Sequence, residues 1–131
     1  IVLIYFPICP LFVPANRLDW IEKGESSNAD GLVLDLEDSI PTKEKSQTRE
    51  ALADYLSSKK INKPFLIRVN PLTSKEGQKD LSLLSLLGEN FIGLLIPKIE
   101  NKPELEALPE SLEVVALIET PLAIKNSATT A

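Results

Sequence analysis

Five short apolar runs, each closed by a polar residue and followed by a helix signal, leave this chain few folds to adopt. They end near residues 14, 37, 68, 97 and 119, with successive gaps of 23, 31, 29 and 22 residues. Such alternation predicts parallel strands joined by right-handed helical crossovers. Doubly wound sheets use units of similar length, but their Gly-rich phosphate turn is missing here. The expectation is an α/β fold, a (β/α)8 TIM barrel, which allots about 31 residues to each unit. The 131 residues supply its first five or so units. Residues 1–131 are thus read as one partial barrel domain whose C-terminal part is missing.

Strands are predicted over 11–13, 31–36, 64–70, 92–96 and 114–118. A helix is predicted over 17–23, with Asn16 as its cap and Gly24 as its stop. Others are predicted over 42–57 and 81–87. A short one starts at Asn101, where Glu104 completes a capping box, and another at Thr120-Pro121.

The second strand runs straight into Asp35, Glu37 and Asp38. Like charges this close repel, so each needs a cation, an arginine or open water. Side chains alternate along a strand, so Leu66, Arg68 and Asn70 share a face, as do Val115, Leu117 and Glu119. Lys98 closes the fourth strand. In a barrel these strand ends form one mouth, where α/β barrels hold their chemistry. Glu37, Asp38, Arg68, Asn70, Lys98 and Glu119 are therefore the candidate site. Plainer readings stand beside this one. Glu37 and Asp38 suit the positive end of the next helix. Arg68 suits an ion pair with one of the acids, Lys98 a solvated lysine, and Glu119 a polar strand terminus.

Composition closes off several chemistries. The chain has no histidine, so no His base, Ser-His pair or imidazole metal site exists. Its single cysteine, Cys9, rules out an internal disulfide and a Cys-based zinc site, and apolar neighbours predict a buried, inert thiol. Any metal must sit among oxygens, which suits Mg2+ or Mn2+. With 19 acids against 14 bases and no basic stripe, nucleic acid is not an expected partner. The apolar opening is broken by Pro7 and Pro10, short of the roughly 20 residues of a membrane helix. No basic segment precedes it, so neither membrane nor signal peptide is expected, and the location is read as cytoplasmic. The first residue is not Met, so the chain is read as part of a longer sequence.

Five ordered segments carry a resemblance. They are Leu11-Phe12-Val13-Pro14-Ala15-Asn16-Arg17, the run from Asp30 to Asp38, Arg68-Val69-Asn70-Pro71, Pro97-Lys98-Ile99-Glu100 and Ala116-Leu117-Ile118-Glu119-Thr120. In order and spacing they resemble the HpcH/HpaI aldolase family, in its citrate lyase beta subunit-like branch, a phosphoenolpyruvate/pyruvate type of TIM barrel. The resemblance implies that Glu119 is a Mg2+ ligand and that Arg68 binds a keto-acid carboxylate. It also implies that Glu37 and Asp38 lie beside metal and substrate. Glu37, Asp38 and Arg68 are thus the expected catalytic residues, with Asn70 and Lys98 as further substrate contacts. A second metal ligand, an aspartate after the next strand, is expected beyond Ala131. Ala15 stands where the family has a glycine.

The implied reaction is Mg2+-dependent carbon–carbon cleavage of a 3-hydroxyacyl thioester of the citryl-, malyl- or citramalyl-CoA kind. It yields an acetyl-type thioester and a 2-keto acid. The base, a carboxylate or a metal-bound water, is left open. The implied partners are the 2-keto acid, an acyl-CoA or acyl-carrier thioester, and further copies of the chain, a trimer being suspected. Two alternatives remain: an aldolase for free hydroxy-keto acids, and a truncated relative that binds without turnover. The 131 residues alone are expected to be inactive, because an unclosed barrel exposes a strand edge and apolar surface.

Overall fold

Leu32, Val33 and Leu34 make β2 (Gly31–Asp35) an unbroken apolar run, and all five of its residues are buried. Such continuity belongs to strands covered on both faces of a parallel sheet. The structure, a computed structural model, describes residues 7–130. Around β2 lie β1 (Pro10–Pro14), β3 (Phe65–Arg68), β4 (Phe91–Ile96) and β5 (Val114–Ala116). Every pairing is parallel and the order is β1-β2-β3-β4-β5. Sequential order matches a barrel wall and lacks the reversal that creates the crevice of a doubly wound sheet.

Helices alternate with the strands: α1 (Asp19–Glu25), α2 (Lys45–Ser58), α3 (Lys75–Asp80), α4 (Pro103–Glu106) and α5 (Pro121–Thr130). Their inward residues, among them Ile21 and Leu52, join Leu34, Leu36, Ile67, Leu94 and Ile96 in one apolar core. Each such side chain contributes roughly 1.5–3 kcal/mol when fully buried. That layer fixes the strands so that their carboxyl ends align.

Several predicted details change. The first helix begins at Asp19, because Asn16 donates its amide to Glu44 Oε2 (3.2 Å) instead of capping. Gly24 lies inside that helix, where a Cβ would stand 2.7 Å from the Leu32 side chain, so it is a packing residue and not a stop. The second helix is preceded by a 3-10 turn, Thr42–Glu44. Helix α3 is unforeseen; Ser74 caps it by accepting a hydrogen bond from Gly77 N–H (3.0 Å). The following leucines form a 3-10 segment, Leu81–Leu86.

Helix α4 starts at Pro103, and Glu104 accepts from Glu100 N–H (3.2 Å), so no capping box forms at Asn101. Thr120 caps α5 as expected, accepting from Ala123 N–H at 3.0 Å. The third and fifth strands end earlier than predicted, at Arg68 and Ala116. Cys9 is exposed, not buried. It adjoins β1, which among the described residues pairs only with β2, and Leu11 and Phe12 of β1 are also exposed.

Gly77 sets how closely α3 approaches the loop after β3. A Cβ there would meet Pro71 O at 2.1 Å and Asn70 O at 2.7 Å, both backbone atoms that cannot swing away. Alanine gains up to about 1 kcal/mol of helix propensity. Overpacking costs about 1–3 kcal/mol. Gly77→Ala is therefore expected to be net destabilising, read as a lower urea midpoint at unchanged m-value. An unchanged or raised midpoint would show that the loop yields.

Candidate active site

The last residues of β2 and β3, Asp35 and Arg68, are register partners on adjacent strands. Arg68 Nε and Nη2 donate to Asp35 Oδ1 and Oδ2, both at 2.8 Å, a bidentate pair in a largely buried setting. Asp35 also accepts Glu37 N–H (2.9 Å) and Ser39 N–H (3.0 Å), so it orders the turn that carries the next acids. Burial alone would raise its pKa. The Arg68 hydrogen bond and those turn N–H groups outweigh it and hold the carboxyl down to about 2.

Glu37 follows two residues later, in the bend just past the end of β2. It is 4% exposed, yet neither carboxylate oxygen has a hydrogen-bond partner. Its nearest cations stand slightly off: Lys98 Nζ at 3.4 Å from Oε2 and Arg68 Nη1 at 3.8 Å from Oε1. Burial raises the Glu37 pKa, the charge of Asp38 adds to this, and Lys98 and Arg68 counter it only in part. Asp38 itself is exposed. Thus the three neighbouring acids take the three outlets open to them: an arginine, a loosely paired interior and water.

Lys98 ties in the fourth and fifth strand ends. Its φ is 55°, in the left-handed region that a side chain enters at a cost. Its backbone N–H donates to Glu119 Oε2 (3.3 Å) while its ammonium faces Glu37. Contacts thus link Glu37 to Arg68 and Lys98, and Lys98 through its backbone to Glu119. A cleft of about 390 Å³ opens beside them, lined in part by Glu37, Asp38, Lys45, Asn70 and Lys98.

Two expected residues serve differently. Both donor bonds of the buried Asn70 amide go to protein, to Leu36 O (3.0 Å) and Asp80 Oδ2 (2.8 Å), leaving it no free donor for a substrate. Arg68 spends its two-pronged face on Asp35, so its Nη1 side is what faces Glu37. The ion-pair reading of Arg68 is thus realised.

Sequence reasoning missed Lys45, whose Nζ donates to Leu36 O (3.0 Å), Glu37 O (2.7 Å) and Asn70 Oδ1 (2.7 Å). It also missed the buried pair between Arg49 Nε and Asp80 Oδ1 at 2.8 Å. One signal existed: Lys45 and Arg49 are one helical turn apart, and Thr48 and Leu52 mark that face as inward.

For a metal, the chain offers oxygen ligands of the hard kind, those of the exposed Glu119 and those of Glu37, which are ion-paired but not hydrogen-bonded. Among the described residues no group of three His, Cys, Asp or Glu converges on one point. Carboxylate oxygens suit Mg2+ in kind, since that ion is held by one or two carboxylates together with water and substrate oxygens.

The Asp35 pair predicts an acid-side stability slope. Between pH 4 and 2 the unfolded chain, whose Asp has a pKa near 3.8, binds the proton that folded Asp35 refuses. Stability supplied by the pair is therefore complete above pH 4 and lost as pH falls through about 2. The pair contributes about 2 kcal/mol. Urea unfolding from pH 5 to 2 should show this slope, and Asp35→Asn should flatten it.

Residues 9–130 match the HpcH/HpaI aldolase/citrate lyase family. A (3S)-malyl-CoA thioesterase of Cereibacter sphaeroides is 27% identical over 122 residues, which are 90% of this chain and 42% of that protein. An L-malyl-CoA/beta-methylmalyl-CoA lyase of the same species is 33% identical over 93 residues, 70% of this chain and 29% of that protein. The citrate lyase beta subunit of Mycobacterium tuberculosis, solved with oxaloacetate and magnesium, superposes with a TM-score of 0.79 at 26% identity. That overlay covers 94% of this chain and 53% of that one. A further structure from that organism, holding magnesium, acetoacetate and coenzyme A, gives 0.78 at 26% identity, over 94% of this chain and 45% of that one. The chain spans less than half the length of the curated relatives named here. Among the described residues no helix is long and apolar enough to cross a membrane. On the family match and the shared α/β sheet, this chain belongs to the HpcH/HpaI aldolase/citrate lyase family.

Proposed function

We propose that the protein carrying this sequence is a Mg2+-dependent carbon–carbon lyase. Its substrate is a 3-hydroxyacyl thioester of the citryl-, malyl- or citramalyl-CoA kind, cleaved to an acetyl-type thioester and a 2-keto acid. Residues 1–131 are taken as the first part of a single (β/α)8 barrel. The full protein works as a homo-oligomer in the cytoplasm. One observation carries the reading: a buried carboxylate, Glu37, has no hydrogen bond to either oxygen beside a cleft that Asp38 and Lys98 also line, with Arg68 behind it and Glu119 on the Lys98 backbone. Support in kind comes from a malyl-CoA lyase among the relatives and from keto acid, magnesium and coenzyme A in the solved neighbours.

The chemistry demands removal of the hydroxyl proton, electron flow from that oxygen to form the keto carbonyl, and departure of the thioester carbon as an enolate. Glu37 is the base, since a raised pKa brings a carboxylate nearer working pH and the residue lies at the wall of the cleft, its oxygens buried just behind it. Arg68, through its Nη1 side, and Lys98 hold the keto-acid carboxylate, and the exposed Asp38 lines the entrance. Asn70 acts from beneath, by way of Lys45. Glu119 would hold Mg2+, which when bound supplies electrostatic stabilisation of the developing oxygen charge, worth several kcal/mol.

Thioester hydrolysis is the second reading, favoured by the relative named as a malyl-CoA thioesterase. Products separate the two: a lyase releases a keto acid and leaves the thioester intact, whereas a hydrolase releases free thiol. In the full-length protein, Glu119→Gln should lower Mg2+-dependent turnover by at least about 10²-fold. Its melting temperature should hold, because Glu119 is exposed. Arg68→Ala would leave Asp35 buried and unpaired, a change that costs about 3–5 kcal/mol. Arg68→Lys is therefore the cleaner probe. Unchanged turnover in Glu119→Gln, or no cleavage of any such thioester by the wild type, would overturn the reading.

A further inference from the structure

The first residue of α2 is a lysine, with no acid in the first turn to balance it. A helix N-terminus carries partial positive charge, so a cation there is disfavoured by a few tenths to about 1 kcal/mol. Lys45 nonetheless points its ammonium into the protein, where three acceptors converge on its three N–H groups. Leu36 O and Glu37 O are the carbonyls just past β2, and Asn70 Oδ1 reaches in from the end of β3.

The arrangement has a depth behind it. Asn70 is fixed by Asp80 Oδ2, which accepts both its backbone N–H and its side-chain N–H at 2.8 Å. Asp80 is fixed in turn by Arg49 Nε at 2.8 Å, and Arg49 also binds Glu76. A buried polar chain thus runs from α2 through α3 to the ends of β3 and β2. Its last link, Lys45, ends on the backbone of Glu37.

We propose that Lys45 is the positioning residue for Glu37. The Glu37 peptide is held on both sides, its N–H by Asp35 Oδ1 (2.9 Å) and its C=O by Lys45 Nζ (2.7 Å). With both backbone groups fixed, the Cα–Cβ direction is set, and the stem of a buried carboxylate that has no hydrogen bond of its own is held at the wall of the cleft. Lys45 touches no reacting atom in this scheme; it acts through the turn. The inference rests on the lyase reading for its catalytic consequence and on the geometry alone for its structural one.

The test uses the full-length protein with Mg2+ and a malyl-type thioester, comparing wild type with Lys45→Met. A misplaced reacting group loses rate on the order of 10²-fold. The expected result is a fall in kcat of that order with KM changed less than about threefold. Amide hydrogen exchange without substrate should quicken at Glu37 and Ser39 while the core of α2 keeps its protection. Should Lys45→Met not accumulate folded, Lys45→Gln, which keeps two donors, gives the same comparison with a smaller loss. Unchanged kcat together with unchanged exchange at Glu37 overturns the inference, as does exchange that quickens evenly over α2. If the wild type cleaves no thioester, the lyase reading fails, and exchange at Glu37 still decides the role of Lys45.

Discussion

Three carboxylates within four positions at the end of a buried strand are the constraint around which this sheet is arranged. Taking even one charge from water costs several kcal/mol unless it is paired. Asp35 meets the demand by drawing Arg68 across from the neighbouring strand, in register, with both prongs engaged. That pair holds the ends of β2 and β3 together and orders the turn through Glu37 and Ser39 N–H. Glu37 is left with what remains, a guanidinium edge at 3.8 Å and an ammonium at 3.4 Å, both ion pairs.

The broad fold was legible because its signals are local. Apolar runs closed by polar residues mark parallel strands wherever they occur, and Thr120-Pro121 marks a helix start by its own chemistry. Misreadings arose where a local signal met a tertiary competitor. Asn16 is a good cap in isolation, but Glu44, 28 residues away, offers it an acceptor. Gly24 reads as a stop until the close approach of Leu32 shows why a helix interior needs it. Cys9 has apolar neighbours in sequence, yet it lies beside a strand that, among the described residues, pairs on one side only.

The site was half legible for the same reason. Glu37, Arg68, Lys98 and Glu119 stand at strand ends, and parallel topology alone brings strand ends together. Lys45, Arg49 and Asp80 do not; two lie on α2 and one closes α3, and only packing of those helices makes them neighbours. Asn70 looked like a substrate contact because it shares a strand face with Arg68. Its donors turned out to be claimed from below by Asp80 and Leu36, a fact of helix placement that no strand pattern contains.

Asp35 and Glu37 show how one turn can shift two carboxyls in opposite directions, the first down through Arg68 and the second up through burial. A carboxyl pushed down adds stability at neutral pH. One pushed up does the reverse: the folded form binds the proton more tightly, and stability falls as pH rises past the unfolded value. Glu37 therefore works against the fold that Asp35 supports. A buried chain of hydrogen bonds from Arg49 to Lys45 fixes the backbone of the residue whose side chain costs stability. Rigid backbone support beneath a buried carboxylate without hydrogen bonds is what the proposed role of Glu37 as a base would require.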